Sequence, residues 1–258
     1  NFKNIYKLEV SIKGINENRI SNYDEILNLI KQNLYSIEQK LDHTFTEVVL
    51  ILENLNTSFV NVAGFKKLNS SQVLRENITY ILNTLKSCVD EFEAKKTILH
   101  IFNTKYFLDE KKIENLPIGL FGDFYSHELS FSLIDTNNFK NIENIFNVCN
   151  LKIKKVFLKS FIKGCLICDK NTGINSFFLL QINENDSKII FFENQSLKFE
   201  QSFQFGKDII LNDISKILSL NRDTIKKILN NVNFNEKISD DEIIESKFFV
   251  RENFRKIK

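Results

Sequence analysis

The chain has 258 residues, enough for a well-buried core and for two compact units. Its 43% hydrophobic and 26% charged residues place it among globular rather than disordered sequences. With 35 basic against 33 acidic side chains the net charge is only +2, which excludes an electrostatic footprint for nucleic acid and reads as a solvated mixed-charge surface. No apolar run approaches the roughly 20 residues that span a bilayer, and nothing at Asn1 resembles a signal peptide. Methionine is absent everywhere, position 1 included, so the expectation is an internal piece of a longer protein.

In chain order, "YKLEVSIK" (residues 6–13) reads as a strand. Ser21-Asn22-Tyr23-Asp24 then resembles a capping box opening a helix. Ile26, Ile30, Leu34, Ile37 and Leu41 follow at helical spacing. "FTEVVLIL" and "TSFVNVA" are the next strands. After Ser70 and Ser71 a second amphipathic helix carries Leu74, Ile78, Ile81, Leu85 and Cys88 on one side. "TILHIF" and "KYFLD" read as two short strands, Pro117, Gly119 and Gly122 mark an irregular loop, and "HELSFSLI" alternates as a half-buried strand does.

A third helix holds Phe139, Ile142, Ile145, Phe146 and Cys149, and the strand "KIKKVFL" follows. "LLQINENDSKIIFF" (residues 179–192) is a hairpin, two apolar runs around an Asn/Asp/Ser cluster. "SLKFEQSFQF" is a further strand. Beyond Gly206 the pattern turns helical, with Ile210, Ile214, Ile217 and Leu218 on one face and then Ile225, Ile228 and Leu229. Strands and helices in this mixture imply an α/β protein.

Candidates for chemistry are few. Among Cys88, Cys149, Cys165 and Cys168, only the last two have metal-like or redox-like spacing. A zinc site would need a second pair or nearby histidines, and His43, His100 and His127 lie far off in sequence. The segment "FIKGCLIC" is apolar, so these thiols read as core and the compartment as cytoplasmic. His100 and His127 read as strand histidines. Asp240, Asp241, Glu242 and Glu245 fit the start of a helix, where they complement its dipole. The basic tail "RENFRKIK" is too short for an amphipathic membrane anchor.

Order and spacing carry a resemblance. In "TILHIFNTKYFLDEKKIENLPIGLFGDFYSHELSFSLI" (residues 97–134), Leu99-His100, Tyr106, Asp109, Asn115, Pro117-Ile118-Gly119, Gly122 and His127 fall into a recurring pattern. It is a strand ending in Leu-His, a strand with Tyr and Asp, an Asn-Pro-x-Gly loop and a His heading a further strand. Leu116 is an extra or altered residue beside the proline. Asn150–Leu158 matches a Gly-Leu-x-Val-x-x-x-Val-Leu strand, and 179–215 matches a phosphate hairpin, its partner strand and a Gly-Gly…Thr-x-Asp-Ile-Ala segment. Of that last motif Gly206 and Asn212-Asp213-Ile214 remain. Together these stretches resemble FtsA, the family of bacterial actin-like cell-division proteins.

The resemblance implies an α/β, actin-like (ribonuclease H-like) two-lobed fold with an inserted α+β subdomain, truncated at both ends. Residues 1–45 would begin the first lobe, 46–134 form the insert, and 135–175 return to the first lobe. Residues 176–205 would hold the phosphate-hairpin region of the second lobe, and 206–258 open its upper subdomain. The first phosphate loop, the later adenosine-contacting glycines and a C-terminal amphipathic membrane helix would lie outside this chain.

The family ligand is ATP with Mg, and the phosphate turn reads Asp-Ile-Gly-Gly-Gly-Thr-Thr-Asp. Here the same places hold Gln181, Ile182, Asn183, Glu184, Asn185, Asp186, Ser187 and Lys188. Glycine is what lets successive backbone N–H groups approach an anion, and the turn has none. Glu184 and Asp186 put negative charge near the phosphate position, and like unit charges ~4 Å apart repel by about 4 kcal/mol at a surface-like dielectric. The ribose-contacting Ala-Glu-x-x-Lys becomes Ile225-Lys226-Lys227-Ile228-Leu229. The expected site is therefore a degenerate one of Asn183, Asn185, Ser187 and Gly206, where ATP and Mg bind weakly or not at all, and the chain is not expected to be an enzyme.

What the family implies for function is a scaffold peripheral to the inner face of the cell membrane. It would tether FtsZ filaments there, self-associate into filaments and recruit later division proteins. The alternative is a functional actin-like ATPase organising a pilus or other cytoskeletal assembly, which wants the missing glycines.

Overall fold

The computed structural model describes residues 5–16, 19–53 and 55–231. The expected helix start at Asp240–Glu245 and the tail "RENFRKIK" lie outside them. The described residues form two compact units. One runs up to Leu179 and adds Ile190–Glu200; the other combines Leu180–Ile189 with the residues from Gln201 onward.

In the first unit, the expected strand over residues 6–13 does not form. Alternation favours an extended backbone, but a strand persists only when another satisfies its N–H and C=O groups. None of the described residues pairs with this segment, and Leu8, Val10 and Ile12 are exposed. Two short strands, β1 (Ile15–Asn16) and β2 (Arg19–Ile20), pair with each other instead. Helix α1 (Tyr23–Leu41) starts at the expected signal, with Asn22 as cap: its side-chain oxygen accepts from the Glu25 N–H at 3.2 Å.

After β3 (Glu47–Leu52) come β4 (Thr57–Gln72), helix α2 (Arg75–Phe92), β5 (Lys96–Leu108), β6 (Lys111–Ile113) and β7 (Phe121–Asp135). Strands β4 to β7 make an antiparallel sheet in the order β4-β7-β5-β6. The two short strands expected at 97–102 and 105–109 are one strand, β5. Its register shifts between the pairs Asn103–Leu129 and Lys105–Glu128, so Thr104 is an inserted residue. A bulge of this kind bends a strand without ending its pairing. The sequence pattern resembles a break for that reason.

Strand β7 is paired along both edges, and residues 129–134 are all buried, whereas the alternating sequence predicts a half-buried strand. One face packs Tyr125, Leu129, Phe131 and Leu133 against Ile81, Leu85 and Val89 of α2. The other carries serines, and Ser130 Oγ donates to the Lys198 carbonyl at 3.1 Å, so protein rather than water covers it. Leu74 and Cys88, expected on the buried side of α2, are exposed. Leu74 is the cap residue outside the helix, and Val89, four residues after Leu85, continues the buried row.

Helix α3 (Thr136–Val148) is capped by Asp135, whose carboxylate accepts from the Asn138 N–H at 2.9 Å. Strand β8 (Lys152–Leu158) then lies parallel to β3. Helix α4 (Lys159–Lys170) replaces the apolar core segment expected at "FIKGCLIC". Its buried face is Ser160 and Gly164, and a Cβ on Gly164 would stand 1.8 Å from Cζ of Phe192. Docking through its smallest residue turns Leu166 and Cys165 outward. The expectation of core thiols is thus corrected: Cys88 and Cys165 are exposed, Cys149 and Cys168 half-buried, and all four are free.

Strands β9 (Phe177–Ile182), β10 (Ser187–Glu193) and β11 (Ser196–Phe203) form a sheet in the order β11-β10-β9. Within the first unit, Ile190, Phe192 and Leu197 join Leu52, Phe102, Ile134, Ile142 and Leu158 in a second core. Beside it Lys105 Nζ lies 3.2 Å from Glu193 and 3.6 Å from Glu128, and Lys198 Nζ lies 3.7 Å from both. The hydrogen bond that Lys105 donates to Glu193, with the Glu128 charge behind it, pushes the Lys105 ammonium up against the opposing cost of its burial.

In the second unit, helices α5 (Lys207–Leu218) and α6 (Arg222–Asn231) follow the sheet. The buried face of α5 agrees only in part with expectation: Leu218 is buried as expected, as is Ile225 of α6, but Ile210 and Ile217 are exposed and Leu211 is buried in their place. Both rows are apolar, so periodicity alone does not choose between them; packing does.

His100 and His127 are indeed in strands. His127, in register with Gly64 and Tyr106, is 1% exposed, and neither ring nitrogen has a hydrogen-bond partner among the described residues. Burial pushes its pKa down from 6.5 to about 4. The unfolded chain therefore takes up a proton at this residue before the folded one does, and stability is full above pH 6.5 and falls as pH drops toward about 4. The urea midpoint should fall across this window in the wild type and fall less in His127→Phe; parallel declines would remove His127 as a cause.

Candidate functional site: the turn between β9 and β10

The turn at residues 183–186 joins two strands and meets the start of α5, all within the second unit. Asn183 closes it, its N–H donating to the Asp186 carbonyl at 2.8 Å and its Nδ2 to the Asp186 carboxylate at 3.1 Å. Gln181 Nε2 donates to Asn183 Oδ1 at 3.0 Å. None of residues 183–187 has a positive φ. The turn therefore lacks the left-handed residue that aims consecutive N–H groups into one anion-binding concavity.

Helix α5 begins directly against this turn. Its first two amides, Lys207 and Asp208, donate to the Asn183 and Glu184 carbonyls, both at 2.9 Å. A helix N-terminus is ordinarily open to anions because these donors lack partners; here the turn itself satisfies them. The approach is close. A Cβ on Gly206 would lie 2.2 Å from the Glu184 oxygen and 2.6 Å from the Asn185 carbonyl carbon. Ser187, buried at the start of β10, donates through Oγ to the Phe205 carbonyl at 2.5 Å.

The structure thus brings Asn183, Asn185, Ser187 and Gly206 together. Asn183, Ser187 and Gly206 fasten the turn to α5, and Asn185 is an exposed turn residue. Beside them a cavity of about 230 Å³ is lined by Glu184, Lys207, Asp208, Ile210, Leu211, Lys226 and Leu229. Two of these, Lys226 and Leu229, are the positions of the ribose-contacting pair in the resemblance. Arg222 pairs with Asp208, an acid in the first helical turn where the dipole favours it. The lining by Lys207, Asp208 and Leu211 was not read from sequence, since only the Gly206 hinge signalled that a helix starts here.

Among the described residues no group of three or more His, Cys, Asp or Glu could hold a metal ion. No helix among them is long and apolar enough to cross a membrane.

No family model matches the chain. It is similar to the cell division protein FtsA of Buchnera aphidicola subsp. Acyrthosiphon pisum (strain APS), 23% identical over 216 residues, 84% of this chain and 51% of that protein. To cell division protein FtsA of Escherichia coli (strain K12) it is 17% identical over 203 residues, 79% of this chain and 48% of that one. The chain spans about half the length of these curated relatives. Among solved structures, a PilM-PilN type IV pilus biogenesis complex aligns at TM-score 0.53 and 7% identity, over 86% of this chain and 60% of that chain. The fold is actin-like, and the resemblance to FtsA extends over most of the chain.

The close approach at Gly206 makes a direct prediction. Gly206→Ala should destabilise the turn–helix contact by about 1–3 kcal/mol and speed hydrogen exchange at the Lys207 and Asp208 amides. Glu184→Ala, which removes an exposed side chain and keeps the carbonyl, should leave both exchange rates close to wild type.

Proposed function

We propose that this chain is part of a cell-division scaffold of the FtsA kind, with a nucleotide site that has degenerated. On this reading the protein tethers FtsZ filaments to the inner face of the cytoplasmic membrane, through a membrane helix outside this chain. It self-associates and recruits later division proteins, with residues 46–134 as the inserted subdomain. The observation that carries the reading is the likeness to FtsA along 84% of the chain.

Degeneracy of the ATP–Mg site is supported by the turn: it has no glycine, no left-handed residue, and its neighbouring helix amides are already hydrogen-bonded. A cavity of about 230 Å³ also falls short of the roughly 300 Å³ at which small-molecule sites begin. The protein then acts by binding rather than by turnover.

A working actin-like ATPase that organises a pilus or other cytoskeletal assembly is the second reading, and the PilM-PilN neighbour is compatible with it. The two separate on one preparation of the intact protein. The scaffold reading expects co-sedimentation with FtsZ filaments on liposomes and no ATP–Mg binding at micromolar concentration. Micromolar ATP binding with no FtsZ in the pellet would favour the ATPase. Replacing Gln181 with Asp and Asn183, Glu184 and Asn185 with Gly should raise ATP affinity; unchanged weak binding would place the defect elsewhere in the site.

A further inference from the structure

We infer that Cys165 and Cys168, one turn apart on α4, form a two-thiolate site for a single soft cuprous ion. The site lies in the first unit, goes beyond the scaffold reading and does not depend on it.

Three observations carry it. First, both thiols are free and within reach of solvent, Cys165 exposed and Cys168 half-buried. They stand three residues apart inside one helix, and residues at that spacing are neighbours on its surface. The other two thiols, Cys88 and Cys149, belong to α2 and to the end of α3.

Second, the backbone that carries the pair is held on either side of it. Before the pair, Gly164 seats α4 so tightly that a Cβ there would stand 1.8 Å from Cζ of Phe192. After it, Asn171 caps the helix, its N–H donating to the Ile167 carbonyl at 3.0 Å and its Nδ2 to the same oxygen at 2.9 Å. On a helix, Cβ atoms three residues apart are separated by about 5–6 Å, whereas a disulfide needs roughly 3.5–4.5 Å. Closing that gap would unwind the turn that Asn171 fixes. A bridging ion needs no closure. With the roughly 2.3 Å of a zinc–thiolate bond as a gauge, one ion holds two sulfurs up to about 4.6 Å apart.

Third, the donor set selects the ion. Among the described residues no group of three or more His, Cys, Asp or Glu could hold a metal, so the pair works as two donors. A structural zinc ion takes four ligands, and hard cations take oxygen. Two thiolates suit a soft ion of low coordination number, and their softness selects Cu(I). Burial, and after it the Cys168 charge, push the Cys165 thiol up, which makes it a poor nucleophile toward oxidants. Metal binding displaces the protons instead: two thiols and one cuprous ion give a dithiolate complex with one net negative charge and two released protons. No electron moves.

The test titrates the reduced full chain with Cu(I) held by bathocuproine disulfonate, whose colour reports the copper it loses. One equivalent should pass to the wild type and to the double variant Cys88→Ser, Cys149→Ser. Cys165→Ser and Cys168→Ser should each bind at least about tenfold more weakly, since losing even an outer partner of a metal ligand costs that much. Cys168→Ser combined with Ile167→Cys keeps the thiol count but turns the two sulfurs to different faces, and should bind as weakly as the single variants. Circular dichroism verifies that each variant keeps its helix content. No transfer of copper, equal binding by the single variants, or full binding by the respaced pair would overturn the proposal.

Discussion

Everything in the first unit is organised around one strand that has no free side. Strand β7 gives its backbone to β4 along one edge and β5 along the other, and over residues 129–134 its side chains are covered on both faces. Residues 129–134 have no access to water, so each hydrogen bond there is formed in a medium where leaving it unmade costs about 1–3 kcal/mol. Helix α2 supplies one cover and β11 the other, and both are fixed by what β7 presents to them. The face with Leu129 and Phe131 selects an apolar helix. The serine face admits a second backbone near enough for Ser130 to reach the Lys198 carbonyl.

Small residues set the approach distances elsewhere too. Gly164 lets α4 stand against the ring of Phe192, and Gly206 lets α5 stand against the Glu184 carbonyl. In each case the geometry, not conformational freedom, requires glycine, since neither residue has a positive φ. A side chain of any size would push the helix away, and at Gly206 it would separate the amides of Lys207 and Asp208 from their acceptors. This contact accounts for the glycine that stands beside a turn with no glycine of its own.

Much of this was legible in sequence. The cap at Asn22, the periodic faces of α1 and α2, the hairpin at 179–192 and the helices after Gly206 are local signals, and each is present. What was not legible depends on partners distant in the chain. The segment at 6–13 alternates well and pairs with nothing described. The Thr104 bulge looked like a strand break, because a pattern cannot distinguish an inserted residue from an end. Helix α4 was hidden because Gly164, a poor helix former, is the residue it buries. In α5 two apolar rows competed, and only contact with α6 resolved them. The turn at 183–187 was found from its residues, but that its carbonyls satisfy the amides of α5 required the tertiary structure.

The turn at residues 183–186 and the start of α5 hold each other through backbone hydrogen bonds. Asn183 N–H donates to the Asp186 carbonyl, and the Lys207 and Asp208 N–H groups donate to the Asn183 and Glu184 carbonyls. An anion at the start of α5 would have to displace these bonds and meet Asp208 and the Glu184 side chain as it did so, an exchange with little to gain in water.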